Sequence, residues 1–172
     1  MLYLVASEPG WRCLGRDITS TPTVRLTEGQ VVRVGRSSDM DISLIDPAIT
    51  RYHFGIWQKD GQVWAQSPAF NRIAINSVMM PWARPAEVRP GDVLQLGDVR
   101  LNLLDIDPAW RTPTAVQVAQ AVHRSCNFKD LPVLADAVED AGCTCPELLA
   151  HLRGPGPHVL RCWALYLVLN KE

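Results

Sequence analysis

Hydrophobic and polar positions alternate from the start of the chain to about Asp105 and then change period. Val31–Val34 is β-branched and alternating, Ile42–Leu44 is a short second strand, and His53–Trp57 begins a third; the stretch VGRSSDMDISLIDPAITRYHFGI thus reads as three strands joined by two polar loops. HFGIWQ and VWAQ flank Lys59-Asp60-Gly61-Gln62, a tight hairpin signal, because Asp-Gly supplies the positive φ angles a two-residue loop demands. Pro90-Gly91 turns the chain into VLQL, and Gly97-Asp98 joins that strand to VRLNLLDI. Residues 1–106 are therefore expected to form an all-β domain.

Beyond it, residues 107–113 carry two prolines and read as a linker, and residues 114–172 follow a helical period of about 3.6. Thr114 is a candidate cap for a helix through Cys126, with Ala115, Val118, Ala121 and Val122 on one face. Asp130 caps a better marked helix. Pro132 lies in its first turn, Leu131, Leu134, Ala135 and Val138 form its stripe, and Gly142 ends it. Thr144 or Cys145 before Pro146 opens a third helix, Glu147–Arg153, and Pro155-Gly156-Pro157 breaks it. A last helix, Val159–Leu169, is apolar on most faces and needs a cover, for which the β domain is the expected partner.

Composition narrows the class. With 47% hydrophobic residues in 172, the chain has the material for a packed core. A net charge of −1 gives no global attraction to nucleic acid, so any anion site must be local. No apolar run approaches a membrane span, and MLYLVASEPGW has no basic leader, so a soluble cytoplasmic protein without membrane partners is expected. Five cysteines, an odd number in mostly apolar settings, suggest reduced thiols.

The two polar loops hold the chemistry. The first carries Gly35, Arg36, Ser37, Ser38 and Asp39; the second carries Asp46, Pro47, Thr50 and Arg51. Arginine presents a planar fork of donors that holds two phosphate oxygens at once. Gly35 lets the backbone approach closely or take a positive φ where the strand ends.

Gly35-Arg36, Asp41-Ile42 and Thr50-Arg51-Tyr52-His53 together resemble the forkhead-associated (FHA) domain, whose pattern is Gly-Arg, an acidic-Ile step and a Ser-Arg-x-His box; here Thr50 keeps the hydroxyl of the box. Phe70-Asn71-Arg72-Ile73-Ala74-Ile75-Asn76-Ser77 stands where that family has Ser/Thr-Asn-Gly-Thr-x-x-Asn-Gly, and Arg89 to Gly97 resembles its closing Gly-Asp-x-Leu-x-Leu-Gly strand. Both asparagines are kept, but Phe70 replaces the hydroxyl residue, Arg72 and Ser77 replace the glycines, and Ile73 replaces Thr.

The resemblance implies an antiparallel β-sandwich over residues 1–106 with a small helical segment behind it. It also implies a phosphothreonine-dependent binding module, an adaptor in Ser/Thr-kinase signalling whose partner is a phosphothreonine-containing protein, a kinase or its substrate. Arg36 and Thr50 would bind the phosphate, Arg51 line the pocket or steer the anion, Ser37 belong to the same phosphopeptide-binding set, Asn71 fix the peptide backbone, and Gly35, His53 and Asn76 hold the architecture. Arg72 has two readings, a solvated surface charge or a donor replacing the one lost at Phe70. The alternative function is a phosphate-independent interaction scaffold of the same fold.

Other chemistry is weaker. Cys126, Cys143, Cys145, His151, His158 and Cys162 are zinc-ligand types, but Cys-x-Cys is one residue short of the usual knuckle and His151 and Cys162 fall on separate helices, so buried thiols are expected and no metal is assigned. Trp11, Trp57, Trp64, Trp82, Trp110 and Trp163 are scattered singly, as core or domain-seam residues are. Asp39-x-Asp41 reads as a turn entering a sheet, and the chain has no nucleophile elbow, His-Glu-x-x-His or Walker motif, so neither enzyme activity nor a cofactor is expected. Asp140-Ala141-Gly142-Cys143, Leu148-Leu149-Ala150-His151-Leu152 and Pro155-Gly156-Pro157-His158 resemble a segment of planctomycete-type bacterial proteins that carries no known chemistry.

Overall fold

The computed structural model describes residues 1–7, 23–68, 71–156, 158 and 162–171. Trp11, Cys13, Phe70, Pro157 and residues 159–161 of the expected last helix lie outside the described residues. Two compact units divide the chain, one β-rich up to Asp105 and one helical from Ile106 onward, with small exchanges near the N-terminus.

The β unit contains β1 (Leu2–Ser7), β2 (Thr23–Arg25), β3 (Val31–Gly35), β4 (Ile42–Ser43), β5 (Phe54–Lys59), β6 (Gln62–Gln66), β7 (Ala74–Ile75), β8 (Val78–Met79), β9 (Ala86–Val88), β10 (Val93–Leu96) and β11 (Val99–Asp105). One sheet runs β2-β1-β11-β10-β7-β8 and the other β4-β3-β5-β6-β9. Their inner faces enclose a core that includes Leu4, Val34, Ile42, Phe54, Ile56, Leu94, Leu101 and Leu103, all at most 1% exposed. In β3 the alternation is direct: Val32 and Val34 point inward while Val31 and Arg33 are exposed. Asp60 and Gly61 take φ of 53° and 76° between paired Lys59 and Gln62, which closes the expected hairpin.

One pairing departs from the antiparallel expectation. β3 and β4 are parallel, Val34 opposite Ile42 and Gly35 opposite Ser43. Leu44 N donates to Gly35 O at 2.9 Å and Arg33 N to Asp41 Oδ2 at 2.8 Å, so residues 36–41 are tied down at both ends. Asp41, considered with Asp39 as a turn pair, also takes the Arg33 guanidinium at 3.2 Å. A two-residue strand is too short to show a period, which is why its direction was not legible.

The helical unit holds α1 (Pro113–Ser125), α2 (Leu131–Asp140), α3 (Pro146–Arg153) and α4 (Trp163–Leu169). α1 begins earlier than expected: Thr112, not Thr114, is the cap, its Oγ1 accepting from Ala115 N at 3.2 Å, and Pro113 takes the first helical position. The buried face is accordingly Ala115, Ala119 and Val122, and Ala121 is exposed. The expected linker contains a single 3-10 turn, Pro108–Trp110, capped by Asp107. α2 buries Leu131, Leu134, Ala135 and Val138 as its stripe requires, though Asp130 caps it without a side-chain hydrogen bond. Gly142, at φ 87°, ends it with Cys143 N to Val138 O and Gly142 N to Glu139 O bonds, a Schellman pattern. α4 buries Trp163, Ala164, Leu165, Leu167 and Val168 and lies beside α1 and α3. Among the described residues no helix is long and apolar enough to cross a membrane.

The tryptophans divide. Trp163 is buried, but Trp82 is 62% exposed and is no core residue. Trp57 and Trp64 face each other across β5 and β6, a cross-strand pair and not isolated side chains.

The β7–β8 hairpin yields a stability prediction. Ile75 pairs with Val78, and the two residues between, Asn76 and Ser77, have φ of 50° and 70°. Asparagine tolerates that region, whereas serine is strained in it. Ser77→Gly is expected to stabilise the chain by about 1 kcal/mol in urea unfolding; an unchanged or lowered midpoint would show that the turn is not strained.

Candidate functional site

The two polar loops are held together by backbone contacts that admit only glycine at position 35. A Cβ on Gly35 would lie 2.1 Å from the Arg51 carbonyl oxygen and 2.8 Å from its carbon. Gly35 is absent from the positive-φ residues, so close approach and not backbone conformation is what it supplies. With the chains this close, Arg36 N donates to Thr50 O at 2.8 Å and Ser37 N to Arg51 O at 3.1 Å.

His53 braces the second loop from below. It is 3% exposed, and its Nδ1 accepts from Thr50 N at 3.1 Å, which places the neutral ring's proton on Nε2. Burial pushes the imidazole below its ordinary value, outweighing the Arg72 backbone carbonyl, which favours the proton. Nε2 has no partner of normal hydrogen-bond geometry among the described residues, so that carbonyl acts on it as a weak electrostatic neighbour. The His53 carbonyl in turn accepts from Asn71 Nδ2 at 2.8 Å and from Ser67 Oγ at 3.0 Å. Ser67 is a bracing residue without a motif to signal it; only the fold brings it under His53.

The donors differ in how far they are committed. Arg36 is exposed, and its Nε donates to Ile49 O at 3.1 Å, which orients the guanidinium and leaves both terminal nitrogens without a bond among the described residues. Arg51 and Arg72 are exposed and have no acidic partner among the described residues, unlike Arg33 on Asp41 and Arg89 on Glu87. Thr50 Oγ1 donates to Tyr52 O at 2.7 Å and sits 3.3 Å from His53 Nδ1, so its single proton is spent inside the loop. The Ser37 hydroxyl, close to Asp39, holds that carboxyl below its usual range. Asn71 spends its amide nitrogen on its own chain. Ile73 is 1% exposed in the core and offers nothing to a ligand.

Asn76 stands apart from the two loops in its bonding. Its Nδ2 donates to Asp92 Oδ1 at 2.6 Å and its Oδ1 accepts from Val93 N at 3.0 Å, fixing the β7–β8 turn to β10.

Residues 32–97, within the β unit, match the FHA domain family. Among solved structures, the FHA domain of the CT664 protein from Chlamydia trachomatis is 21% identical with a TM-score of 0.50, over 62% of this chain and 98% of that one. An FHA domain from work on phosphothreonine-dependent FHA interactions is 20% identical with a TM-score of 0.47, over 62% and 97%. The FhaA FHA domain complexed with the intracellular domain of Rv3910 is 21% identical with a TM-score of 0.46, over 60% and 99%. At these identities the likeness is one of fold. Comparison with curated proteins gave no match.

Two outcomes follow from the bracing. Gly35→Ala must move backbone, and an expected loss of about 1–3 kcal/mol or more in thermal unfolding checks this; an unchanged melting temperature would contradict the close approach. His53, with its folded value depressed, contributes stability that is present above its unfolded value of about 6.5 and lost as pH falls through the folded one. Its imidazole proton signal is expected to titrate by NMR below about pH 6.5; a midpoint at or above that would remove burial as the dominant effect.

Proposed function

We propose that the β unit acts as an FHA domain and binds a phosphothreonine-containing segment of a partner protein, as an adaptor in Ser/Thr-kinase signalling. The observation that carries the reading is the Arg36 guanidinium, pinned at Nε by the Ile49 carbonyl with its terminal nitrogens uncommitted. A phosphate offers several oxygens to such a fork, and each charge-assisted bond is about twice as strong as a neutral one. Arg51 and Arg72, without acidic partners among the described residues, add attraction around it. Thr50 contributes by exchanging its bond to Tyr52 for one to phosphate, and Asn71 offers its carbonyl oxygen to a peptide N–H. Ser37 contributes position, its backbone N–H donating to the Arg51 carbonyl at 3.1 Å. Gly35 and His53 hold this arrangement, Asn76 holds the β7–β8 turn to β10, and no residue is assigned catalysis.

A second reading, a scaffold that binds without phosphate, is favoured by one set of facts. The hydroxyl of Thr50 is engaged and Ile73 has joined the core, so two of the family's hydroxyl positions offer no free donor. Titration of an oriented phosphothreonine peptide library against wild type and Arg36→Ala separates the two. Loss of two charge-assisted bonds is expected to cost on the order of 3 kcal/mol, about a hundredfold in affinity, with the fold unchanged because Arg36 is exposed. Thr50→Ala is expected to lose less, since its hydroxyl must first give up Tyr52. Equal binding by Arg36→Ala, or a partner retained after phosphatase treatment, would establish the scaffold instead.

A further inference from the structure

The helical unit contains a cluster that the phosphopeptide site does not use. His151, His158 and Cys162 each offer one ligand atom, and these atoms lie within 4.8 Å of one another. His151 stands in the last turn of α3, Cys162 is the N-cap of α4, and His158 belongs to the segment between them. His151 Nε2 lies 3.1 Å from Cys162 Sγ, and the two imidazoles meet edge to face with centroids 5.0 Å apart.

The hydrogen bond to the His158 ring leaves one of its nitrogens available to a ligand. Its Nε2 lies 3.1 Å from the Gly154 carbonyl, an acceptor only, so Nε2 carries the proton and Nδ1 carries the lone pair. That Nδ1 is buried and has no partner among the described residues. Leaving such an atom unsatisfied costs about 1–3 kcal/mol. Backbone carbonyls that take the other ring N–H are the usual device for orienting a metal-binding imidazole. Gly156 serves the same end: at φ 94°, a Cβ there would lie 2.8 Å from His158 N and 3.1 Å from its ring, so only glycine leaves room for the His158 ring in this position.

We infer that His151, His158 and Cys162 form a binding site for a thiophilic divalent cation of the zinc class. Two imidazoles and one thiolate suit zinc, whereas magnesium and calcium require oxygen ligands. Bonds of about 2.0–2.1 Å to nitrogen and 2.3 Å to sulfur in a tetrahedron hold ligand atoms roughly 3.3–3.6 Å apart. The three atoms reach that spacing by side-chain shifts of about 1 Å or less. Binding releases one proton from the Cys162 thiol to solvent as the metal–sulfur bond forms. Three protein ligands leave a fourth position for water or an exogenous donor, and Trp163, 4.8 Å from His151 by ring centroids, walls the site on one side. A Cys-His nucleophile is the competing use of the same pair. It is disfavoured because Cys162 is 1% exposed, where nucleophilic cysteines are accessible to their substrate. Cys143 and Cys145, the close pair in the sequence, lie outside this cluster, and Cys145 Sγ is instead 3.5 Å from Glu147.

The test uses the full chain, stripped with chelator under reducing conditions and titrated with Co²⁺ and then Zn²⁺. The expected result is one ion per chain, with tetrahedral cobalt absorption and a thiolate-to-cobalt charge-transfer band that zinc displaces. Cys162→Ser is expected to abolish the band, His158→Ala to weaken binding by roughly tenfold or more, and Cys143→Ser and Cys145→Ser to leave both unchanged. Near-UV circular dichroism verifies the fold of each variant, and if Cys162→Ser does not fold, the wild-type band and the His158→Ala titration decide. A folded wild type with no charge-transfer band, or a band that survives Cys162→Ser or His158→Ala but falls in the Cys143 or Cys145 variant, would overturn the assignment.

Discussion

The approach of Gly35 to the Arg51 carbonyl is the constraint on which the loop end of the sandwich depends. Any side chain at that point would force two backbones apart, and the Arg36–Thr50 and Ser37–Arg51 hydrogen bonds would go with them. With the gap closed, the Ile49 carbonyl comes within reach of Arg36 Nε, and the guanidinium is aimed before any ligand arrives. Pre-orientation matters energetically because an immobilised arginine otherwise surrenders rotamer entropy on binding. His53 supports the seal from the interior, and Asn71 and Ser67 hold His53.

This arrangement places more of the proposed recognition on charge than on hydroxyl groups. Thr50 directs its proton at Tyr52, while Arg36, Arg51 and Arg72 have no acidic partners among the described residues. A site of that kind attracts anions over a distance set by ionic strength, about 8–10 Å under physiological conditions. Its discrimination between phosphorylated and plain threonine then rests on the geometry of one guanidinium, which is why the Nε anchor counts for so much.

Much of this was legible in the sequence and some was not. Alternation exposed β3, the Asp60-Gly61 hairpin and the α2 stripe because each of those elements is long enough, or its turn chemistry specific enough, to leave a local signature. The parallel β3–β4 pairing left none in two residues, and the cap at Thr112 was obscured by Thr114, a second hydroxyl on the other side of Pro113. The residues of the proposed site stood out by spacing, but the state of their donors depends on partners such as Tyr52 and Ser67 that no motif contains. His151, His158 and Cys162 failed every spacing rule because they come together from the end of α3, the start of α4 and the segment between, not from one periodic element.

The central claim is that Arg36 and its neighbouring loop receive a phosphate. Its most direct measurement is a ¹H–¹⁵N NMR titration of the full chain with capped phosphothreonine, with capped threonine as the control. The account predicts that the Arg36 Nε–H signal and the amides of Ser37, Thr50 and Arg51 shift saturably with phosphothreonine and stay in place with threonine. Unmoved signals at saturating phosphothreonine, or equal shifts with both compounds, would contradict it.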